Sequence, residues 1–93
     1  MIKHFKCKDT GKIWMGNYVK KFPKNIQQKA RIKLRMLNNS VNINDLRVPP
    51  SNHLEKLIGN RKGYYSIKIN DQWRLCFKWE HGEITNVEII DYH

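Results

Sequence analysis

Two hydrophobic periods divide this chain, and together they leave few architectures open to it. Tyr65, Ile67 and Ile69 alternate with Ser66, Lys68 and Asn70. Trp73, Leu75, Phe77 and Trp79 alternate in turn with Arg74, Cys76, Lys78 and Glu80. A period of two marks amphipathic strands with one buried face. Upstream the period changes. Ile26, Ala30, Leu34 and Leu37 recur at i, i+4, i+8 and i+11, one stripe of an α-helix. Pro23 suits the start of that helix, and Asn38-Asn39-Ser40 ends it.

Parity constrains the turn between the two strands. A two-residue Asn70-Asp71 loop would set Ile67 against Arg74 and mix the faces. A three-residue loop sets Ile69 against Trp73 and Ile67 against Leu75, which keeps the apolar sets together. The three-residue loop is therefore expected. His81-Gly82 then turns the chain into a last strand, about Ile84 to Asp91, with Val87 and Ile89 as core residues. Depending on register, Asp91 falls opposite Gln72 or Trp73. Ile2 to Cys7 reads as a short first strand, Thr10 to Val19 as a helix, and Asn42 to Leu46 as a turn before Pro49-Pro50. The order predicts one α+β domain over residues 1–93. An N-terminal strand and helices pack on one face of an antiparallel-rich sheet that ends in a three-strand meander. Lys68, Arg74 and Lys78 are expected on the other face.

At 93 residues the chain supports one modest core. Cys7 and Cys76 lie far apart with no Cys-x-x-Cys spacing, so neither a disulfide framework nor a zinc site is indicated. No apolar run is long enough for a membrane span, and a soluble cytoplasmic protein is the expectation. Charge is more informative. Residues 1–35 hold eleven Lys and Arg against the single acid Asp9, whereas residues 36–93 hold seven of each sign. The whole net charge of +10 therefore lies in the first 35 residues. Such asymmetry points to a polyanionic partner: nucleic acid, an anionic membrane or an acidic protein.

The chain closes on Asp91-Tyr92-His93. Cleaving RNA through its own 2′-hydroxyl needs a base for that proton, an acid for the leaving 5′-oxygen and a cation over the transition state. His serves the first two tasks, Arg forks onto phosphate oxygens, and Tyr donates to phosphate or stacks on a base. His93, Tyr92, Asp91 and Arg74 meet this requirement if the sheet brings them together. His93 is assigned the acid role, because its own α-carboxylate and Asp91 both favour the imidazolium. Asp91 then orients Tyr92 or His93. Plainer readings stand beside these: a frayed terminal His, a Tyr capping the core, and an Arg74 that is the solvated cross-strand partner of Glu88. His4, His53 and His81 have no ligand-like grouping, and Asp91-x-His93 alone is a weak metal site.

Four motifs crowd the second half: Pro-Pro-x-Asn-x-Leu from Pro49, Gly-x-Arg-Lys-Gly from Gly59, Tyr-Ser-Ile-x-Ile-Asn-Asp-Gln-Trp-Arg from Tyr65, and the terminal Asp-Tyr-His. In these the chain resembles the HigB branch of the RelE-type bacterial toxins, nearly end to end and most densely over residues 46–93. The resemblance implies a RelE-like α+β fold and a toxin that enters the decoding site of a bacterial ribosome. There it would cut mRNA as a metal-independent endoribonuclease without a cofactor. It also implies a cognate helix-turn-helix antitoxin of the HigA type, no membrane, and a monomeric toxin when alone. Asp91, Tyr92 and His93 match the family's terminal triad, and Arg74 its strand arginine. Two positions depart: Glu55 stands where some members have His, and Ile58 where Lys is usual. Glu55 is then a candidate base. The RNA-contacting candidates are Lys29 and Lys33 of the basic helix, Lys56, Arg61 and Lys62 around the glycine loop, Lys68 on the strand, and Gln72.

The competing reading is an RNA- or ribosome-binding growth inhibitor that blocks translation or ribosome maturation without cutting. Both readings require the basic 24–35 helix to contact ribosomal RNA. Ribosome affinity should then fall steeply with salt, as counterions released on binding dictate. Salt-insensitive co-sedimentation with ribosomes would count against that contact.

Overall fold

The computed structural model describes residues 1–57, 59 and 62–91. In chain order these form helices α1 (Lys8–Trp14) and α2 (Lys24–Asn39), then short 3-10 turns at Ile43–Arg47 and Pro50–Asn52. Strands β1 (Glu55–Lys56), β2 (Tyr64–Lys68), β3 (Trp73–Glu80) and β4 (Glu83–Asp91) follow. The strands make one antiparallel sheet in the order β1-β2-β3-β4, so the chain is α+β as expected.

The β2–β3 hairpin takes the register that parity requires. Ile67 faces Leu75, Tyr65 faces Phe77, and the Ile69 N–H donates to the Trp73 carbonyl at 2.9 Å. Asn70 closes the loop: its Oδ1 accepts from the N–H groups of Gln72 and Trp73 at 2.9 and 2.8 Å. This is the local side-chain turn that makes Asn common in such places.

The β3–β4 connection puts His81 (φ 53°) and Gly82 (φ 78°) in the left-handed region, the two-residue geometry that matches strand twist. Farther along β4, Lys78 faces Thr85 while Cys76 faces Glu88, so β4 carries one extra residue between those pairs. Asn86 sits in that bulge at φ 52°. Without the bulge, Ile84 and Val87, an odd number of positions apart, could not both point inward. Both are fully buried.

The expected first strand is not continuous. Among the described residues the N-terminal segment makes two isolated parallel bridges to β4, Ile2 with Ile84 and Phe5 with Val87. The bulge lies between the two contact points and breaks the even spacing that a parallel ladder needs. The first helix is also shorter than expected. Gly16 (φ 93°) stops α1: its N–H donates to the Ile13 carbonyl and that of Asn17 to Lys12, both at 3.0 Å. This is the Schellman arrangement.

The segment beyond it, up to Val19, is held by a buried side chain. Gln27 of α2 accepts from the Val19 N–H at 3.0 Å and donates to the carbonyls of Val19 and Phe22 at 2.6 and 2.9 Å. Ile26, Ala30, Leu34 and Leu37 of α2 and Ile13 of α1 join Ile67, Leu75, Phe77, Val87 and Ile89 of the sheet in one core. Gln27→Met keeps the volume but strands three buried backbone groups. With three groups orphaned at about 1–3 kcal/mol each, it should lower unfolding free energy by roughly 3 kcal/mol or more in urea titration. An unchanged midpoint would mean that the loop does not depend on this residue.

Candidate active site

The alternation that sends Leu75 and Phe77 inward sends Arg74 to the sheet's other face, where the plainer reading has it solvated. The structure corrects this. Arg74 is 6% exposed and Ser66 beside it is fully buried. The segment from His53 to Glu55 supplies part of their cover. Arg74 Nε donates to Ser66 Oγ at 2.9 Å, and Nη2 donates to the backbone carbonyls of His53 and Ser66. Nη1 lies 3.7 Å from Glu55 Oε1. Glu55 reaches it because β1 pairs with β2 and places Glu55 opposite Ser66. A cation this enclosed has to satisfy its donors within the protein, and these bonds do so. Glu88 is not its partner: Glu88 stands opposite Cys76 and pairs with Lys6 at 3.4 Å, while Arg74 stands opposite Ile90.

The bulge settles the register at the chain's end. Asp91 faces Trp73, and Gln72 Nε2 donates to Asp91 Oδ2 at 3.2 Å. Asp91 therefore shares the face of Trp73, and Arg74 the opposite one. Gln72–Asp91 and Arg74–Glu55 stand back to back at one end of the sheet. Tyr92, His93 and Arg61 lie outside the described residues, as does Ile58.

Between α2 and the β2–β3 turn lies a cleft of about 500 Å³, lined by Lys29, Ile32, Lys33, His53, Lys68 and Asp71 among others. Three RNA-contacting candidates thus meet in one place. Lys33 donates to Asn52 Oδ1, and Lys68 Nζ pairs with Asp71 Oδ1 at 2.8 Å. Burial, and then the charge of Lys29, hold Lys33 below the usual lysine pKa. The hydrogen bond from Lys68 holds Asp71 below the usual carboxylate range. The protein tolerates crowded positive charge here, as a site for a polyanion would require.

Two candidates fall elsewhere. Lys56 faces Tyr65 on the sheet side opposite Glu55. Lys62 lies in the turn before β2, at the end of that strand remote from Lys68. One cleft residue was missed. His53 carries no motif signal of its own, yet it lines the cleft and its carbonyl holds Arg74. The signal was its position after Pro49-Pro50, where a turn can swing a side chain away from the strand that follows.

Among the described residues no three His, Cys, Asp or Glu side chains gather as a metal site. No helix among them is long and apolar enough to cross a membrane. Residues 3–93 match the family described as RelE-like toxin of type II toxin-antitoxin system HigB. The chain belongs to this family. Toxin HigB-1 of Vibrio cholerae is 42% identical over 71 residues, covering 76% of this chain and 74% of that protein. Endoribonuclease HigB of Proteus vulgaris is 27% identical over 93 residues, 100% of both chains. The structure of the heterotetrameric YoeB-YefM toxin-antitoxin complex from Staphylococcus aureus shares the fold. Its matching chain has a TM-score of 0.61 at 23% identity, with 100% of this chain and 98% of that one covered.

For this HigB-family toxin, Arg74→Met removes the cation that ties β2, β1 and the His53 turn. Stability should fall by roughly 2–4 kcal/mol, the range for hydrogen bonds to a buried charge and the partners left behind. Amide exchange over residues 53–56 should rise with it. A wild-type urea midpoint would show that the guanidinium is not the tie.

Proposed function

We propose that this toxin is a ribosome-dependent endoribonuclease that cuts mRNA at the decoding site by metal-free general acid/base chemistry. A cognate HigA-type helix-turn-helix antitoxin silences it. The observation that carries the reading is the lysine cleft lined by His53, whose carbonyl also holds Arg74, at the sheet end where Asp91 pairs with Trp73. Membership of the HigB toxin family, and a full-length relative named as an endoribonuclease, support the same reading.

In this scheme Lys29, Lys33 and Lys68 hold phosphates on either side of the cut. Arg74 faces the scissile phosphate through Nη1, whose carboxylate partner Glu55 is, among the described residues, its most replaceable contact: 3.7 Å away, on a side chain 47% exposed. Glu55 thus keeps the guanidinium in place until a phosphate displaces it. His93 protonates the leaving 5′-oxygen, Asp91 and Gln72 anchor the strand that carries it, and Tyr92 contacts phosphate or base. Arg61, Lys56 and Lys62 contribute to the wider basic surface rather than to the cut.

The test is cleavage of a defined mRNA by the purified toxin, with and without ribosomes, in EDTA. Expected are cuts only in the ribosome-bound message, ends with a 2′,3′-cyclic phosphate and a 5′-hydroxyl, and loss of cutting in His93→Ala with ribosome binding retained. Growth arrest that survives His93→Ala, with intact message, would establish the binding-only inhibitor instead. Adding the antitoxin should abolish cutting.

A further inference from the structure

We infer that His53 is the proton acceptor of the cut, taking the 2′-hydroxyl proton of the nucleotide held in the lysine cleft. The inference rests on the nuclease reading above and assigns the base that the reading leaves open.

His53 is the one cleft-lining side chain among the described residues whose type exchanges protons near neutral pH. It is exposed. Its backbone is held in the left-handed region, φ 43° and ψ 58°, which is uncommon outside glycine although His, like Asn and Asp, enters it more readily than other side chains. Such a conformation persists only where its surroundings fix it. They do so from both sides. Asn52, fully buried, donates to the carbonyls of Leu46 and Val48 at 3.0 and 3.4 Å. The His53 carbonyl in turn accepts from Arg74. At this reversal His53 lines the cleft together with Lys29 and Lys33 of α2, Lys68 of β2 and Asp71 of the hairpin turn, while its carbonyl stays on Arg74, which Glu55 flanks. One residue thus joins the phosphate-holding cleft to the guanidinium.

In the step itself the 2′-hydroxyl proton passes to the imidazole, and the 2′-oxygen forms a bond to phosphorus. The bond from phosphorus to the 5′-oxygen breaks, and that oxygen takes its proton from the acid assigned to His93. The products are a 2′,3′-cyclic phosphate and a 5′-hydroxyl, with no net change in charge or redox state.

His53→Asn separates the chemistry from the backbone, since Asn also tolerates positive φ and leaves the carbonyl for Arg74. Single-turnover cleavage of ribosome-bound mRNA should slow by about 10²- to 10⁴-fold, the range for losing a general base. Ribosome binding should stay at the wild-type level, and the ascending limb of the pH–rate profile should vanish. A His53→Asn protein that cuts within about threefold of wild type, with that limb intact, overturns the inference. So does a profile whose limb is lost in Glu55→Gln but kept in His53→Asn, which would make Glu55 the base. Wild-type toxin inert on ribosome-bound mRNA removes the nuclease reading itself, and this assignment with it.

Discussion

A guanidinium on a residue only 6% exposed has to be satisfied inside the protein, and among the described residues three separate segments contribute to holding Arg74. Ser66 belongs to β2, Glu55 to β1, and the His53 carbonyl to the turn before β1. β1 is only two residues long, too short to hold itself in place by pairing alone. The arginine supplies the remaining attachment. Everything placed by the 53–56 segment therefore depends on it, including the position of Glu55 and the direction in which His53 faces. Lys would not be an equivalent, because one ammonium cannot serve hydroxyl, carbonyls and carboxylate from a planar fork.

The same end of the molecule concentrates like charge. Lys33 has its pKa lowered by burial and by Lys29, so the folded state disfavours its protonated form. The sign follows from linkage. A lysine with a folded pKa below its unfolded value works against folding at neutral pH, and that penalty lifts as pH rises through the folded pKa. Asp71 runs the other way. Its depressed pKa favours the fold above the unfolded value, and the benefit is lost as pH falls through the folded one. The cleft is thus a compromise in which one carboxylate steadies Lys68 while Lys29 and Lys33 repel each other. A bound polyanion relieves that repulsion, which couples occupancy of the cleft to stability.

Much of this was legible in the chain. Parity alone placed Ile67 against Leu75, and the i, i+4, i+8, i+11 stripe of α2 is buried in full. What escaped was set by contacts between segments remote in sequence. Alternation marks Arg74 as lying on the polar face, but nothing local says that residues 53–55 lie across it. The two residues of β1 have no periodicity to detect, and the N-terminal run reads as a strand although it meets a bulged edge. His53 looked inert because a side chain's surroundings in a left-handed turn come from the tertiary structure. The Asp91 register was recoverable. Ile84 and Val87 are an odd number of positions apart, and Asn86 between them is a residue type that tolerates positive φ.

That bulge links the core to the chemistry. If β4 ran regularly from the Glu80–Glu83 pair, Asp91 would stand opposite Gln72, and Glu88 would replace Ile89 opposite Leu75. A charged residue would then enter the core, a cost of several kcal/mol without a partner. Apolar packing around Leu75 and Ile89 therefore enforces the extra residue at Asn86, and the extra residue carries Asp91 to Trp73. Asp91 needs no packing of its own to be placed opposite Trp73. Its address follows from which side chains the core accepts upstream of it in β4, from Ile84 to Ile89. Substitutions at Asn86 thus act on the site through register, at a distance from every group that would touch RNA.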